Sequence, residues 1–349
     1  MTIYSRMGRV LQKIEKHKNT NHHKHHNHHK HHIIKMSKKH IRKEDADTLF
    51  FGKCEGKENN DSYNKQREYI LSTILDGTFN IFLEDIYVGS KWKLLKESWK
   101  DVLDTIYKKK STESSESSES SESYTSIKVK QKGGRACNYD FDVDYYNDTK
   151  KVLTITNVEF KYGGKSIDEI PQFFNADANK LFLDGYASWF YDNYVTKKAP
   201  YTNYVVPSKE VYMKEIYKNT SKNSFFVKLK EDEKEKEIYD MKSSLVKESI
   251  TSWLETNHTS LNLEELSKEF LRSQGGKIFI LWDKDTFHID SFEEEQLRVS
   301  TNLGLNKQKN SILVNSKSND IQYKMLLRWK NHLGILKPAW QISMARLLD

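Results

Sequence analysis

The chain has 349 residues, of which 36% are hydrophobic, 30% charged and 12% aromatic, with a formal net charge of +8. That is enough chain, and enough large aromatic surface, for one elaborated domain or two. Two cysteines, Cys54 and Cys137, argue against a disulfide framework or a cysteine-rich zinc site, and no apolar run approaches the roughly 20 residues that span a bilayer. The composition leads us to expect a soluble, intracellular, unsecreted protein with no membrane partner.

The charge is polarised along the chain. Residues 1–43 hold twelve Lys or Arg against one acid, Glu15, and Lys16 to His32 contains nine of the thirteen histidines. Such low-complexity sequence buries no face, so a disordered basic tail is expected; its histidines read either as transition-metal ligands or as compositional drift, and we place no active-site residue there.

Two helical patterns follow in residues 44–110. In one, Tyr63, Ile70, Leu71, Ile74 and Leu75 share a face; in the other, Trp92, Leu95, Trp99, Val102, Leu103 and Ile106 do. Residues 111–124 repeat Glu every third position among serines and read as a flexible insertion.

From residue 125 the apolar period changes to two. Strands are expected on either side of Gly133-Gly134, and a third after the Asn147-Asp148 turn, forming a β-meander. Within residues 125–200 the meander is followed by a helical segment near Pro171 and an aromatic stripe, Phe182, Tyr186, Trp189, Phe190 and Tyr194, which reads as core. Residues 201–349 read as helical and basic, with short apolar strands at residues 275–283 and 311–315.

With Tyr146 facing Lys151, alternation puts Asp140, Asp142 and Asp144 on one face with Glu159 and Lys161. Phe141, Val143, Val152, Val158 and Phe160 then lie on the other. Three carboxylates crowded together are unfavourable without a counterion, and two of them on neighbouring strands suit a hard divalent cation, Mg²⁺ or Mn²⁺. A lysine two residues beyond Glu159 emerges on the same side and can orient a water or offset charge on a phosphate, which points to phosphodiester hydrolysis.

The Asp and Glu159-Phe160-Lys161 pattern resembles that of the PD-(D/E)xK nucleases, the restriction-endonuclease-like superfamily, of the kind found in large DNA viruses. The resemblance covers roughly residues 61–195. It implies an α/β fold, a restriction-endonuclease-like core with a mixed central sheet flanked by helices. It also implies catalytic Asp142, Glu159 and Lys161, with metal held by Asp142 and Glu159 and with Asp140 competing for that role. Glu68 corresponds to an acid that such proteins carry on a preceding helix. Gln172 corresponds to a glutamine on a following helix, although Ala176 stands where a tyrosine is usual, and Phe141 replaces the usual proline. The implied substrate is nucleic acid, specifically DNA.

At the C-terminus, Lys324, Arg328, Trp329, Lys330 and Lys337 interleave bases and aromatics. They suit phosphate contacts and base stacking, or equally a basic helix packing its Met325, Leu326 and Trp329 face. His288 with Asp283, Asp285 and Asp290 reads as a polar loop between strands rather than as a second metal cluster.

Overall fold

The helical face predicted around Trp99 is the platform on which the first sheet rests. In the computed structural model, which describes residues 43–52, 60–75, 91–114, 123–132, 137–175, 178–182, 185–196, 208–216, 248–306, 311–318, 321–329 and 340–347, three helices come first among the described residues. These are α1 (Lys43–Phe51), α2 (Asn60–Thr73) and α3 (Lys91–Ser114). The His-rich tail, Gly133-Gly134 and most of the Ser/Glu segment lie outside the described residues. Packing divides the chain into two units, one ending at Tyr63 and the other starting at Asn64. In the first, Ala46, Leu49 and Phe50 of α1 are buried at the one-turn spacing of a helix face.

In the second unit, Trp92, Leu95, Trp99, Val102, Leu103 and Ile106 are all buried, as their periodicity requires. They cover a five-stranded sheet. The Trp99 ring lies 6.0 Å from Phe141 and 5.2 Å from Phe287, its indole N–H donates to the Leu71 carbonyl at 3.0 Å, and the Tyr145 hydroxyl donates to the Leu103 carbonyl at 2.7 Å. The buried polar tips of Trp99 and Tyr145 therefore each have a partner, which offsets the penalty of burying them.

This sheet contains β1 (Ser126–Gln131), β2 (Phe141–Asn147), β3 (Lys150–Tyr162), β5 (Ile278–Trp282) and β6 (Phe287–Asp290), in the order β1-β2-β3-β5-β6. The first three strands form the expected antiparallel meander, β5 runs parallel to β3, and β6 returns antiparallel. The fold is thus mixed α/β, with a mixed sheet flanked by helices. A parallel neighbour cannot be reached by a hairpin, and the excursion between β3 and β5 carries β4 (Gln172–Asn175) and helix α4 (Leu263–Gln274).

A second five-stranded sheet is antiparallel throughout, in the order β4-β10-β9-β8-β7, with β7 (Val299–Asn306), β8 (Ser311–Ser316), β9 (Gln322–Trp329) and β10 (Trp340–Leu347). Its inner residues Phe174, Ile312, Val314, Tyr323, Met325, Ile342 and Met344 form one core with Leu266 and Phe270 of α4. The aromatic stripe joins that core through Phe182, Tyr186, Phe190 and Tyr194, as its spacing indicated.

Two expectations are corrected here. The C-terminal basic segment is two paired strands rather than a helix: Tyr323, Met325 and Ile342, Met344 alternate inward, and cross-strand pairing outweighs the helical propensity of its Leu, Lys and Met. Gln172 lies on β4, not on a helix. Ile170 before Pro171 is extended, as a residue preceding proline is driven to be, and β4 pairs with β10. No described helix is long and apolar enough to cross a membrane.

Candidate active site

The register of β2 on β3 decides which acid meets Glu159. Near the turn the expected pairs hold, Asn147 with Lys150 and Tyr146 with Lys151. Two register shifts then intervene, so that Tyr145 faces Leu153 and Phe141 faces Val158. Asn157, inside β3, has φ 61, the left-handed conformation that a bulge accommodates. Carrying the Phe141 register one step further sets Asp140 beside Glu159. The Asp140 N–H donates to the Val158 carbonyl at 2.9 Å, and the Phe160 N–H donates to Asp140 Oδ2 at 2.9 Å.

Three further side chains complete the cluster. Glu68 of α2 is buried, and its Oε2 accepts from Gln131 at 3.1 Å and from Lys65 at 2.8 Å. Lys161 pairs with Glu159 Oε1 from two residues along β3, and Lys277, in the turn before β5, pairs with Glu159 Oε2. Burial, together with the charges of Glu68 and Glu159, pushes the Asp140 carboxyl up to about 6. Burial also acts to raise Glu159, but the Lys161 and Lys277 ammonium groups outweigh it and hold that carboxyl below its ordinary value. For Lys277, burial favours the neutral amine and lowers its pKa, while Glu159 opposes.

The other two acids of β2 go elsewhere. Asp142 pairs with Lys132 at 2.8 Å, and its Oδ1 is buried without a hydrogen-bond partner among the described residues. Asp144 is buried under Lys130 at 2.5 Å and Lys151 at 3.7 Å, and accepts from the Thr154 hydroxyl at 2.7 Å. The repulsion expected of three acids on one face is therefore relieved for two of them by Lys130 of β1, Lys132 just beyond it and Lys151 of β3. Only Asp140 is left to Glu68 and Glu159.

The structure thus brings Glu68, Asp140, Glu159 and Lys161 together. Buried Gln172 instead donates to the Ile170 carbonyl at 2.7 Å. Lys324 is half-buried on β9; Arg328 and Trp329 belong to that strand, and Lys330 and Lys337 lie outside the described residues. His288 Nε2 contacts Asp283 Oδ2 at 2.9 Å, while Asp283 Oδ1 accepts the N–H groups of Asp285 and Thr286, each at 2.9 Å, closing the β5–β6 turn. Lys277 was missed in the sequence, since a Lys after Gly275-Gly276 and before an apolar strand carries no signal until β5 is known to lie beside β3.

Among the described residues, no three His, Cys, Asp or Glu side chains stand close enough together to hold a metal ion. A hard divalent cation needs only one or two carboxylates, completing its shell with water and phosphate oxygens. Asp140 and Glu159 offer that pair of carboxylates, side by side through the Phe160 N–H bond to Asp140. The donors fit Mg²⁺ or Mn²⁺. In comparisons with known proteins, no family model, curated protein or solved structure matches this chain.

Proposed function

We propose that this chain is a Mg²⁺- or Mn²⁺-dependent nuclease that hydrolyses phosphodiester bonds of DNA on a restriction-endonuclease-like core. The observation that carries the reading is the cluster of Asp140, Glu159 and Lys161 on adjoining strands, backed by Glu68 from the preceding helix. The mixed sheet, flanked by helices and opened by a meander, supports the same reading.

In this scheme Asp140 and Glu159 would hold the cation, whereas Asp142 is paired with Lys132. When bound, the cation would polarise a phosphoryl oxygen and lower the pKa of a water. Lys161 orients the attacking water and offsets charge on the phosphate. The water oxygen bonds to phosphorus, the bond from phosphorus to the leaving sugar oxygen breaks, and the proton lost by the water is returned to that oxygen through solvent. Phe160 N–H keeps one Asp140 oxygen aimed while this occurs.

A non-catalytic nucleic-acid-binding protein on the same core is the second reading. It draws on the two ammonium groups that already occupy Glu159. Incubation with linear, circular and single-stranded DNA, with and without Mg²⁺ or Mn²⁺, separates the two. The nuclease reading requires metal-stimulated cleavage that is lost in Glu159→Ala and Lys161→Ala while binding persists. Salt-dependent binding with no cleavage selects the second reading, and normal cleavage by both variants removes the assignment of the site.

A further inference from the structure

Glu159 has two ammonium partners where hydrolysis calls for one, and they are placed differently. The Lys277 side chain is 8% exposed and that of Lys161 is 21% exposed. The turn delivering Lys277 is stiffly built. A Cβ on Gly275 would lie 2.5 Å from the Leu271 carbonyl oxygen, so only glycine packs so closely on the last turn of α4, and Gly276 has φ +67, a conformation that other residues rarely adopt. The Asn138 side chain, two residues before Asp140, donates to the Ser273 carbonyl at 3.1 Å. The end of α4 is thereby tied to the segment that carries Asp140.

We propose that Lys277 is the resident partner of Glu159, a positioning residue that keeps this carboxylate aimed and charge-compensated, whereas Lys161 is the exchangeable partner that leaves for the substrate phosphate. The inference rests on the nuclease reading for what Lys161 does, and on the geometry alone for what Lys277 does. A lysine buried in the turn before β5 and paired to Glu159 of β3 cannot follow a polynucleotide, but it can hold its neighbour. Removing one member of a buried ion pair strands the other, whereas removing both is often tolerated.

The test is a thermal cycle on the full chain. Glu159→Gln is made in the wild-type, Lys161→Met and Lys277→Met backgrounds. In the first two it should lower Tm by several degrees; in the third it should leave Tm unchanged or raise it. An equal drop in all three overturns the proposal. Should Lys277→Met alone not fold, the Lys277→Met/Glu159→Gln double variant decides, because the proposal requires that it fold.

Cleavage kinetics supply the readout that a purely structural role would not move. Lys277→Met should lower kcat about ten- to a hundred-fold, as loss of a ligand-orienting partner does, with KM for DNA little changed and with Lys277→Arg recovering most of the rate. A raised KM at unchanged kcat would make Lys277 a substrate contact and overturn the assignment. If the wild-type chain cuts no DNA, the nuclease reading fails, and the thermal cycle still decides the Lys277–Glu159 pairing.

Discussion

The Phe160 N–H donates to Asp140 Oδ2 at 2.9 Å, so the residue between Glu159 and Lys161 fixes the acid that lies beside them. This bond holds Asp140 next to Glu159, while the Asp142 carboxylate is held by Lys132 at 2.8 Å.

Asp140→Asn should therefore abolish metal-stimulated DNA cleavage, whereas Asp142→Asn should retain it within a few-fold. Initial rates on linear duplex DNA with Mn²⁺ check this, with circular dichroism confirming that both variants fold. Equal loss in both would return the metal-holding role to Asp142 or share it between the two acids.

Asp140 also makes the metal-free protein sensitive to pH. Its carboxyl is raised from 3.8 to about 6 by burial and by the charges of Glu68 and Glu159. The folded chain therefore binds this proton more tightly than the unfolded chain. On this account stability is fully present below pH 4, declines as pH rises through 6, and then levels off. In EDTA, Asp140→Asn lacks the titration. Its Tm should gain on that of the wild type between about pH 4 and 6.5 and hold a constant lead above that range. A difference independent of pH would show that neither burial nor the charges of Glu68 and Glu159 raise the Asp140 carboxyl.

Trp99 joins α3 to the mixed sheet and to α2. It is fully buried, lies between Phe141 and Phe287, and donates to the Leu71 carbonyl. Trp99→Ala should cost about 3–5 kcal/mol in urea unfolding. Trp99→Phe should cost less, keeping most of the contact area and losing the hydrogen bond, a loss of about 1–3 kcal/mol where the carbonyl is left unsatisfied. Near-equal costs would mean that the hydrogen bond, not the ring, anchors the helix.

Local sequence determined much of this protein. Period 3.6 placed Trp92, Leu95, Trp99 and Val102 on a buried face, and period two placed Phe141, Val143 and Phe160 inside while sending Glu159 and Lys161 to the opposite side. Only the tertiary structure decided which acid accompanies them. Parity is unchanged by two register shifts, so Asp140 and Asp142 are equivalent in an alternating pattern, and it is the shifts and Lys132, just beyond β1, that separate them. Gln172 and the C-terminal strands were misplaced because their apolar residues suit either period, and a distant partner strand made the choice. Lys277 was invisible for the same reason: periodicity reports the face a side chain occupies, whereas the neighbour across a parallel pair is set by long-range packing, and β3 and β5 are far apart in the chain.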